Sequence, residues 1–416
     1  MNRIRIKNFG PIKNGFTEND GWLDIKKVSA FIGNQGSGKS VVAKLISTFT
    51  WIEKVLTRGD HDIEYFEKNF REEYWFNNQI LSYHRIEDYY SKKDTVIDYE
   101  GESFKISLKG ENLFIEDAKN GSYALPQILY MPAERNFIAN VRTPKALSQV
   151  APSLLDFVTE FYNAANAMKE PMLLPVNDNV YIEYSDLTGI FHVKGNNYSI
   201  NLTGSSSGFQ SVVPLFLVSW FLSESVKDHG ENAKEMMTGE QRERVRLRFR
   251  EINENPNLTE ELRRLALSEL GKEFTKTAFI NIVEEPEQNL FPSSQWGMLK
   301  KLLEFNNGSA GNKLIMTTHS PYLINYLSIA IQAEELQKKL VLSQNTKLSQ
   351  ELYNIVPKES FVAAVDVVIY QLDEKNGTIN KLSSAEGIPS DDNYLNQSLR
   401  YGNEMFDKLL EIEQEL

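Results

Sequence analysis

The sequence contains no cysteine among its 416 residues. This absence excludes disulfide bonds and metal sites built from thiolates, and it fits a reducing compartment. Basic residues are also few relative to acidic ones: 45 Lys and Arg against 57 Asp and Glu give a formal net charge of −12. A protein that mainly coats nucleic acid needs clustered positive charge. That class is therefore not expected, although the numbers leave room for a local basic groove.

Long apolar runs are missing as well. The first ten residues, MNRIRIKNFG, have no apolar core of signal-peptide length. The most apolar run, Val212–Leu222, is too short to span a bilayer and contains Pro214 and Ser219. It predicts a buried helix instead. We therefore expect a cytoplasmic protein without a membrane partner.

The length exceeds that of a usual single core, so two lobes or one domain with insertions are expected. Apolar periodicity predicts the order of the elements. Strands are expected at Asn2–Lys7 near a sheet edge, at Val28–Ile32, at Gln127–Met131, and in antiparallel groups over Thr95–Glu116 and Val180–Asn201. Helices are expected at Val41–Trp51, across Ile63–Tyr90, within 145–170, and in a strongly charged insertion at 223–276. The last part, 322–416, predicts a helix, a hairpin and a terminal amphipathic helix.

The glycine-rich segment GNQGSGKS lies between the predicted strand at Val28–Ile32 and the following helix. This is the strand–loop–helix context that a phosphate loop requires. Its glycines allow backbone N–H groups to turn inward around phosphate oxygens, and the helix N-terminus adds partial positive charge. Lys39 is expected to reach the β- and γ-phosphates of ATP, and Ser40 to bind Mg²⁺. The predicted nucleotide-binding residues are Gly33, Asn34, Gln35, Gly36, Ser37, Gly38, Lys39 and Ser40.

A second segment, FINIVEEPE, predicts a buried strand that ends in two carboxylates. Side chains alternate along a strand, so adjacent acids at its end point in different directions. Glu284 is expected to hold Mg²⁺, and Glu285 to act as the general base that polarises the attacking water. The alternative, a solvated acidic turn, does not explain the apolar residues that precede the pair.

A third segment, MTTHSP, predicts a strand over Lys313–Thr318 followed by His319. A lone histidine is more often structural than catalytic. Its place after the acidic strand favours contact with the γ-phosphate, where it would sense hydrolysis. The other histidines, His61, His84, His192 and His229, have no such context and are expected to be structural or exposed.

A fourth segment, SSGFQ at Ser206–Gln210, precedes the apolar helix predicted at Val212–Leu222. Hydroxyl and backbone N–H groups at a helix N-terminus suit an anion. One chain rarely needs two phosphate sites for one ATP. The segment is therefore predicted to bind the γ-phosphate of ATP held by a second subunit; a serine-rich linker would not explain the helix that follows.

Together the four segments resemble the ATPase heads of the ABC superfamily, in the branch of SMC, RecF and the OLD (overcoming-lysogenisation-defect) proteins. The sequences IRIKNFGPI, EEPE, YMPAERN and TTHSPYL are similar to the OLD-like branch rather than to transporters. The resemblance implies an α/β P-loop NTPase fold: an ABC-type head over 1–416 with an antiparallel β subdomain, a helical lobe, insertions at 60–125 and 223–276, and 322–416 as its C-terminal part. It also implies that Ser207, Gly208 and Gln210 act in trans, and that Gln288–Pro292 joins two active sites across a dimer.

Three positions depart from the usual pattern. Phe209 replaces a glycine of the transporter signature, and Glu284 replaces the usual aspartate. The place of the glutamine that normally senses Mg²⁺ is taken by Pro132–Arg135. Glu134 or Arg135 is expected to substitute for it, with Gln127 as a weaker candidate.

The function implied by the resemblance is that of an ATP-hydrolysing switch. A homodimer at minimum, with larger rings left open, would close around ATP and control an effector. The part after His319 lacks the strand pattern of a TOPRIM nuclease, so the effector (a nuclease or toxin) is expected to be a separate protein, as in antiphage systems of the PARIS type. The alternative is a RecF- or SMC-like clamp for DNA repair, which leaves DNA binding open. The acidic balance and the absence of a long coiled coil count against it, and the motor of a membrane transporter fits poorly.

An arginine stretch lies within the charged insertion and consists of Arg242, Arg244, Arg246, Arg248 and Arg250. At helical spacing Arg242, Arg246 and Arg250 share one face, which would suit nucleic acid or an acidic partner. Nearby acids such as Glu243 and Glu251 favour a solvated, salt-bridged face instead.

Overall fold

The structure is a computed structural model that describes residues 2–58, 60–118, 126–140, 150–227 and 278–414, with residues 247–248, 251–252, 255–256, 258–259, 262–263 and 266 between the last two ranges. The predicted helical insertion at 223–276 lies largely outside the described residues. The same holds for His229 and for Arg242, Arg244, Arg246 and Arg250 of the arginine stretch.

The strands, in chain order, are β1 (Asn2–Lys7), β2 (Gly15–Phe16), β3 (Trp22–Ile25), β4 (Val28–Gly33), β5 (Val96–Glu100), β6 (Phe104–Lys109), β7 (Asn112–Asp117), β8 (Pro126–Met131), β9 (Met172–Leu173), β10 (Tyr181–Ser185), β11 (Ile190–Gly195), β12 (Tyr198–Asn201), β13 (Ala278–Glu284), β14 (Lys313–Thr318), β15 (Val367–Asp373), β16 (Thr378–Lys381), β17 (Ser384–Ala385) and β18 (Ile388–Pro389). The helices are α1 (Lys39–Arg58), α2 (Ile63–Phe70), α3 (Pro152–Ala167), α4 (Ser207–Lys227), α5 (Pro292–Asn307), α6 (Pro321–Ser343), α7 (Thr346–Ile355) and α8 (Tyr394–Gln414).

A seven-stranded sheet of order β2-β16-β15-β4-β14-β13-β8 forms the centre of the molecule. From β15 to β8 each neighbouring pair is parallel. Strands β4 and β13 are buried along their whole length, as expected for apolar parallel strands covered on both faces. Side chains alternate between two cores: Phe31 belongs to one, and Ala30 and Ile32 to the other. The predicted α/β fold with a buried central sheet is confirmed.

The first core joins the central sheet to an antiparallel sheet of order β3-β1-β5-β6-β7 across helix α1. Glu53 of α1 is fully buried and fixes this contact. Its carboxylate accepts hydrogen bonds from the Tyr99 hydroxyl at 2.8 Å and the Ser103 backbone N–H at 2.7 Å. The predicted meander over Thr95–Glu116 therefore continues the sheet that contains the N-terminal strand, because β5 pairs with β1.

The second core lies on the opposite face of the central sheet and is built by helices α3 to α6. A four-stranded antiparallel sheet of order β12-β11-β10-β9 packs beside α3 through Phe161 and Phe191. Among the described residues, α4 is the one helix with the length and hydropathy of a membrane span. It is mostly buried in this core, as the run at Val212–Leu222 predicts.

The prediction of helix across Ile63–Tyr90 is only partly correct. After the short helix α2 the chain forms a π turn at Phe76–Ile80 and 3₁₀ turns at Leu81–His84 and Glu87–Tyr89. Aromatic residues supply the apparent periodicity, and they pack edge-to-face on one another, as Phe70 does on Phe76. Such packing satisfies the same spacing without a continuous helix.

Two helical glycines provide a matched test of the packing. A Cβ on Gly297 of α5 would lie 1.9 Å from the backbone oxygen of Pro175, whereas a Cβ on Gly402 of α8 would meet nothing within 4 Å. We expect Gly297→Ala to lower the free energy of unfolding by about 1–3 kcal/mol through overpacking. Gly402→Ala is expected to raise it by about 0.5–1 kcal/mol, because alanine favours the helix. Urea unfolding monitored by circular dichroism measures both.

Equal effects of the two substitutions would contradict the close approach of α5 to the segment that follows β9.

Candidate active site

The parallel order of the central sheet brings the predicted motifs to one edge. The carboxyl ends of parallel strands lie on the same side of a sheet, which is where ligands bind in α/β folds. Glu284 at the end of β13 pairs with Thr317 of β14, and Thr318 pairs with Ile32 of β4. The phosphate loop, the acidic pair and His319 therefore follow three adjacent strands. The turn that contains Arg135 follows β8 beside them.

The phosphate loop has the backbone that its glycines predict. Gly33, Gly36 and Gly38 all have positive φ, at 149°, 77° and 101°. A Cβ on Gly33 would lie 2.5 Å from the backbone oxygen of Leu372 in β15, so only glycine fits there. The loop thus turns tightly between β4 and α1, with Gln35 and Gly36 exposed at its tip.

Lys39 folds back over this loop. Its Nζ donates to the backbone oxygens of Gly33 at 3.0 Å and Asn34 at 2.7 Å. Burial lowers the pKa of Lys39 to about 8, while the carboxylates of Glu285, Glu287 and Glu284 oppose that shift. The lysine is therefore close to the acidic segment. A phosphate group could replace the two carbonyl acceptors that now hold the ammonium.

Glu374, which the sequence analysis missed, holds the rim of the loop. It follows β15 and accepts a hydrogen bond from Asn34 Nδ2 at 3.0 Å. The side-chain oxygen of Asn34 in turn accepts from the Gln35 backbone N–H at 2.8 Å. The sequence feature that could have identified Glu374 is its position directly after β15, the buried strand that pairs with β4.

The two acids at the end of β13 occupy different surroundings. Glu284 is buried, at 6% exposure; its Oε2 accepts from the Ala133 backbone N–H at 3.4 Å, and its Oε1 is buried with no hydrogen-bond partner among the described residues. Glu285 has left the strand, with φ at 43°, and its side chain is 35% exposed. Burial and the Glu284 carboxylate raise the pKa of Glu285. The two side chains therefore differ in exposure, as expected for the pair, but the left-handed turn at Glu285 produces the difference and not alternation along a strand.

His319 lies beside Glu285, with 3.6 Å between Nε2 and Oε1. Burial, with a smaller contribution from Lys39, lowers the pKa of His319. A neutral imidazole next to the carboxylate can accept or donate one hydrogen bond. The position predicted from motif order is thus adjacent to the acidic pair.

Glu287 is a further residue that the sequence analysis did not assign. Its Oε1 accepts from the His319 backbone N–H at 2.7 Å, which joins the acidic turn to the histidine turn. Burial raises the pKa of Glu287, and the hydrogen bond from His319 opposes that rise. The sequence feature that could have identified Glu287 is its position as the third acid of the EEPE segment.

Arg135 connects the acidic turn to the second core. Its guanidinium is fully buried and donates to four backbone oxygens: Ser211 at 3.1 Å, Pro132 at 3.3 Å, Glu284 at 2.7 Å and Glu285 at 2.6 Å. Burial lowers the pKa of Arg135 to about 10, so the group stays charged at neutral pH. Of the candidates for the switch position, Glu134 is exposed beside it, and Gln127 lies near the start of β8. Of the three candidates, Arg135 is therefore the residue that contacts both the acidic turn and α4.

The segment Ser206–Gln210 forms the N-terminus of α4. Ser206 and Ser207 are exposed, and a Cβ on Gly208 would lie 2.9 Å from the backbone oxygen of Asn289. Gln210 donates from Nε2 to the backbone oxygens of Thr203 and Ser205 at 3.0 and 3.1 Å. It thereby fixes the loop that presents the serines. Within the described part of the chain, no hydrogen bond joins this segment to the phosphate loop.

The donor set at the sheet edge fits Mg²⁺. The buried, unpartnered Glu284 Oε1 and the buried, unpartnered Ser37 Oγ both lie in this region. Among the described residues there is no cluster of three or more His, Cys, Asp or Glu of the kind that holds a metal alone. Mg²⁺ commonly takes one or two protein ligands together with substrate phosphates. Glu284 and Ser40 are the residues that would hold it.

No protein-family model and no curated protein matches this chain. Among solved structures it is similar to the SMC head domain from Thermotoga maritima, with 10% identity, a TM-score of 0.37, and coverage of 92% of this chain and 98% of that one. An Smc head domain bound to the C-terminal domain of ScpA, from Pyrococcus furiosus, has 10% identity and a TM-score of 0.36, covering 97% and 100%. A nucleotide-free ATP-binding cassette from an ABC transporter has 12% identity and a TM-score of 0.26, covering 93% and 94%. The overlap at these TM-scores is low, and the fold assignment rests on the strand order and the phosphate loop.

The four hydrogen bonds of Arg135 predict that a lysine at this position cannot replace it. Arg135→Lys keeps the charge but cannot present the guanidinium fork to four carbonyl oxygens. We expect it to lower ATP turnover at least about tenfold. The free energy of unfolding should fall by about 1–3 kcal/mol, because buried carbonyls lose their donors. Steady-state ATP hydrolysis and urea unfolding measure the two effects.

The neighbouring Glu134→Gln provides the control. A large loss of turnover in that variant, with Arg135→Lys unchanged, would assign the switch position to Glu134.

Proposed function

We propose that this protein is an ATP-binding and ATP-hydrolysing ABC-type ATPase that closes as a dimer around ATP and acts as a conformational switch. The observation that carries the proposal is the meeting of the phosphate loop, the acidic pair and His319 at the carboxyl edge of one parallel sheet. The 3.6 Å approach of His319 to Glu285 and the charge interaction between Glu285 and Lys39 support the proposal that these groups share one site.

Each side chain has a role that its surroundings support. The ammonium of Lys39 and the N–H groups of the loop bind the phosphates. Bound Mg²⁺ supplies charge compensation to the phosphate oxygens. Glu285 accepts the proton of the attacking water; its raised pKa brings its basicity closer to working pH, which favours general-base catalysis. In this proposal His319, which lies beside Glu285, contacts the γ-phosphate.

Two surfaces favour a second copy of the chain as the partner. Ser206 and Ser207 present an exposed helix N-terminus, which suits a phosphate, yet in the described chain they make no hydrogen bond to their own phosphate loop. Helix α8 has no buried residue and exposes a row of apolar side chains that includes Leu399, Phe406 and Leu409. Exposed apolar rows of this kind are typical of interaction surfaces.

The effector role rests on the resemblance to OLD-like ATPases. In this proposal the closed dimer controls a separate nuclease or toxin in bacterial antiphage defence. Arg135 supplies a physical route for such control, because it ties the acidic turn to α4. Co-purification from the native host followed by mass analysis tests this part: a nuclease or toxin partner supports it, and DNA alone supports the clamp alternative.

Replacing the general base is the direct test of the catalytic assignment. Glu285→Gln keeps the shape of the side chain but removes its basicity. We expect hydrolysis to fall about 10²–10⁴-fold, while ATP stays bound and the protein accumulates as a closed oligomer. Phosphate release and sedimentation velocity with and without ATP measure the two results.

The matched control is Glu18→Gln, which changes an exposed carboxylate outside the site. Normal turnover by Glu285→Gln would refute the assignment of the base.

Mixing two inactive variants tests the shared site. Lys39→Ala disables the phosphate loop, and Ser207→Arg disables the segment offered to the neighbour. In an equal mixture about half of the dimers contain both variants, and each mixed dimer has one intact site. We expect recovery of about one quarter of the wild-type hydrolysis rate, measured after exchange of subunits.

Each variant alone should stay inactive at every concentration. A mixture that remains inactive, although mass analysis detects mixed dimers, would contradict the trans arrangement.

A further inference from the structure

A separate cavity of about 200 Å³ lies between α1, the turns that follow α2, the edge strand β8 and α3. It is lined by aromatic rings and by uncharged polar groups, chiefly Trp51, Gln79, Tyr83, His84 and Tyr130. Its wall on α1 begins at Ser47, eight residues after Lys39 and therefore about 12 Å along the helix. The cavity therefore lies apart from the phosphate loop at the start of the same helix, although Tyr130 in its wall is close to Glu284 of the candidate active site.

His84 is the unusual member of this lining. It is 2% exposed, and neither ring nitrogen has a hydrogen-bond partner among the described residues. An unpartnered buried polar group costs free energy and needs an explanation. The sequence alone predicted a structural or exposed histidine. Its ring packs edge-to-face on Tyr83 and Tyr130, with 4.7 Å between centroids in each case, and a ligand in the cavity could supply the partner that its nitrogens lack among the described residues.

The protonation state of His84 defines what it offers. Burial lowers its pKa to about 3, with a smaller contribution from Lys44, so the imidazole is neutral at physiological pH. A neutral imidazole presents one N–H donor and one nitrogen acceptor. The amide of Gln79, in the same wall, likewise offers one group of each kind. The cavity therefore suits a ligand whose edge carries both donors and acceptors.

The charge of the wall favours a neutral ligand over an anion. None of the described residues that line the cavity is Lys or Arg, and the one ionisable acid is Asp156, which accepts a hydrogen bond from the Tyr83 hydroxyl. Lys44 lies close by, with its Nζ 5.9 Å from the centroid of the Tyr130 ring, but it does not line the cavity. A ligand that is neutral, or that keeps its charged part outside, therefore fits the wall best.

The volume of the cavity and the aromatic rings in its wall restrict the class of ligand further. Pockets for drug-sized ligands measure about 300–1,000 Å³, so this cavity holds one small ring system. Aromatic walls favour a planar partner, since flat rings stack on Trp and Tyr. Trp51 is 43% exposed, which places it where the cavity meets solvent.

We propose that this cavity binds a nucleobase, presented as an unphosphorylated nucleoside, with the ring between the aromatic side chains and its polar edge on His84 and Gln79. The base can come from a free nucleoside or from a nucleotide of single-stranded nucleic acid whose sugar-phosphate lies outside. The proposal does not depend on ATP hydrolysis at the other site.

The test is calorimetric titration of the full chain with adenosine, guanosine, cytidine and uridine. We expect at least one nucleoside to bind with one site per chain, equally in the wild type and in Lys39→Ala. Its 5′-monophosphate should bind more weakly, because Asp156 repels it. A short single-stranded oligonucleotide of the same base separates the two sources: tighter binding than the nucleoside indicates nucleic acid, and weaker binding indicates the free nucleoside.

Substitutions of residues that line the cavity test whether the nucleoside binds there. His84→Leu and Gln79→Leu should each weaken the nucleoside about tenfold or more, since each removes hydrogen-bonding groups. His61→Leu is the matched control, because His61 stacks on Tyr65 rather than lining the cavity. Gln79 is exposed, so its variant keeps the test valid if His84→Leu unfolds.

Three results would each overturn the proposal. They are the absence of binding by any of the four nucleosides at millimolar concentration, unchanged affinity in the Gln79 variant, and tighter binding of the monophosphate that is lost in Lys39→Ala.

Discussion

The buried guanidinium of Arg135 is the interaction on which the rest of the site depends. A fully buried charge is costly unless every donor is satisfied, and here backbone oxygens, not a carboxylate, satisfy it. Two of them belong to Glu284 and Glu285, and one belongs to Ser211 in the second turn of α4. The peptide groups of the acidic turn and the start of α4 therefore cannot move independently.

This constraint organises the neighbouring turns. The left-handed backbone of Glu285 is unfavourable for a side chain with a Cβ and persists only where surrounding contacts hold it. Arg135 donates a hydrogen bond to the carbonyl oxygen of Glu285, and the backbone N–H of Glu285 donates to the carbonyl oxygen of Thr317 at 2.9 Å. The Glu287 carboxylate then accepts from the His319 backbone. In the proposed ATPase, a change at the γ-phosphate would reach α4 through this chain of contacts, since each link is a hydrogen bond to a backbone group.

The parts of the site that the sequence predicts are those encoded locally. A glycine loop between strand and helix, and an acidic pair after an apolar strand, need only neighbouring residues to be recognised, and the structure has both. Glu287, Glu374 and the four acceptors of Arg135 depend on strand order, which periodicity does not supply. Gln210, predicted as a phosphate contact, donates to its own loop. The aromatic turns before Tyr90 imitate a helix because rings packed in three dimensions can share its spacing.

The electrostatics of the site support the proposal that a phosphate and a cation bind there together. Glu284, Glu285, Glu287 and Glu374 all contribute to the surroundings of Lys39. The nearby cations are Lys39 and Arg135, and Arg135 is committed to carbonyl oxygens. A polyphosphate adds negative charge to an edge that already holds carboxylates, so a divalent cation is needed to offset the repulsion. The buried and unpartnered oxygen of Glu284 is the group positioned to share that cation. The glutamate at the usual aspartate position is thus compatible with the same chemistry.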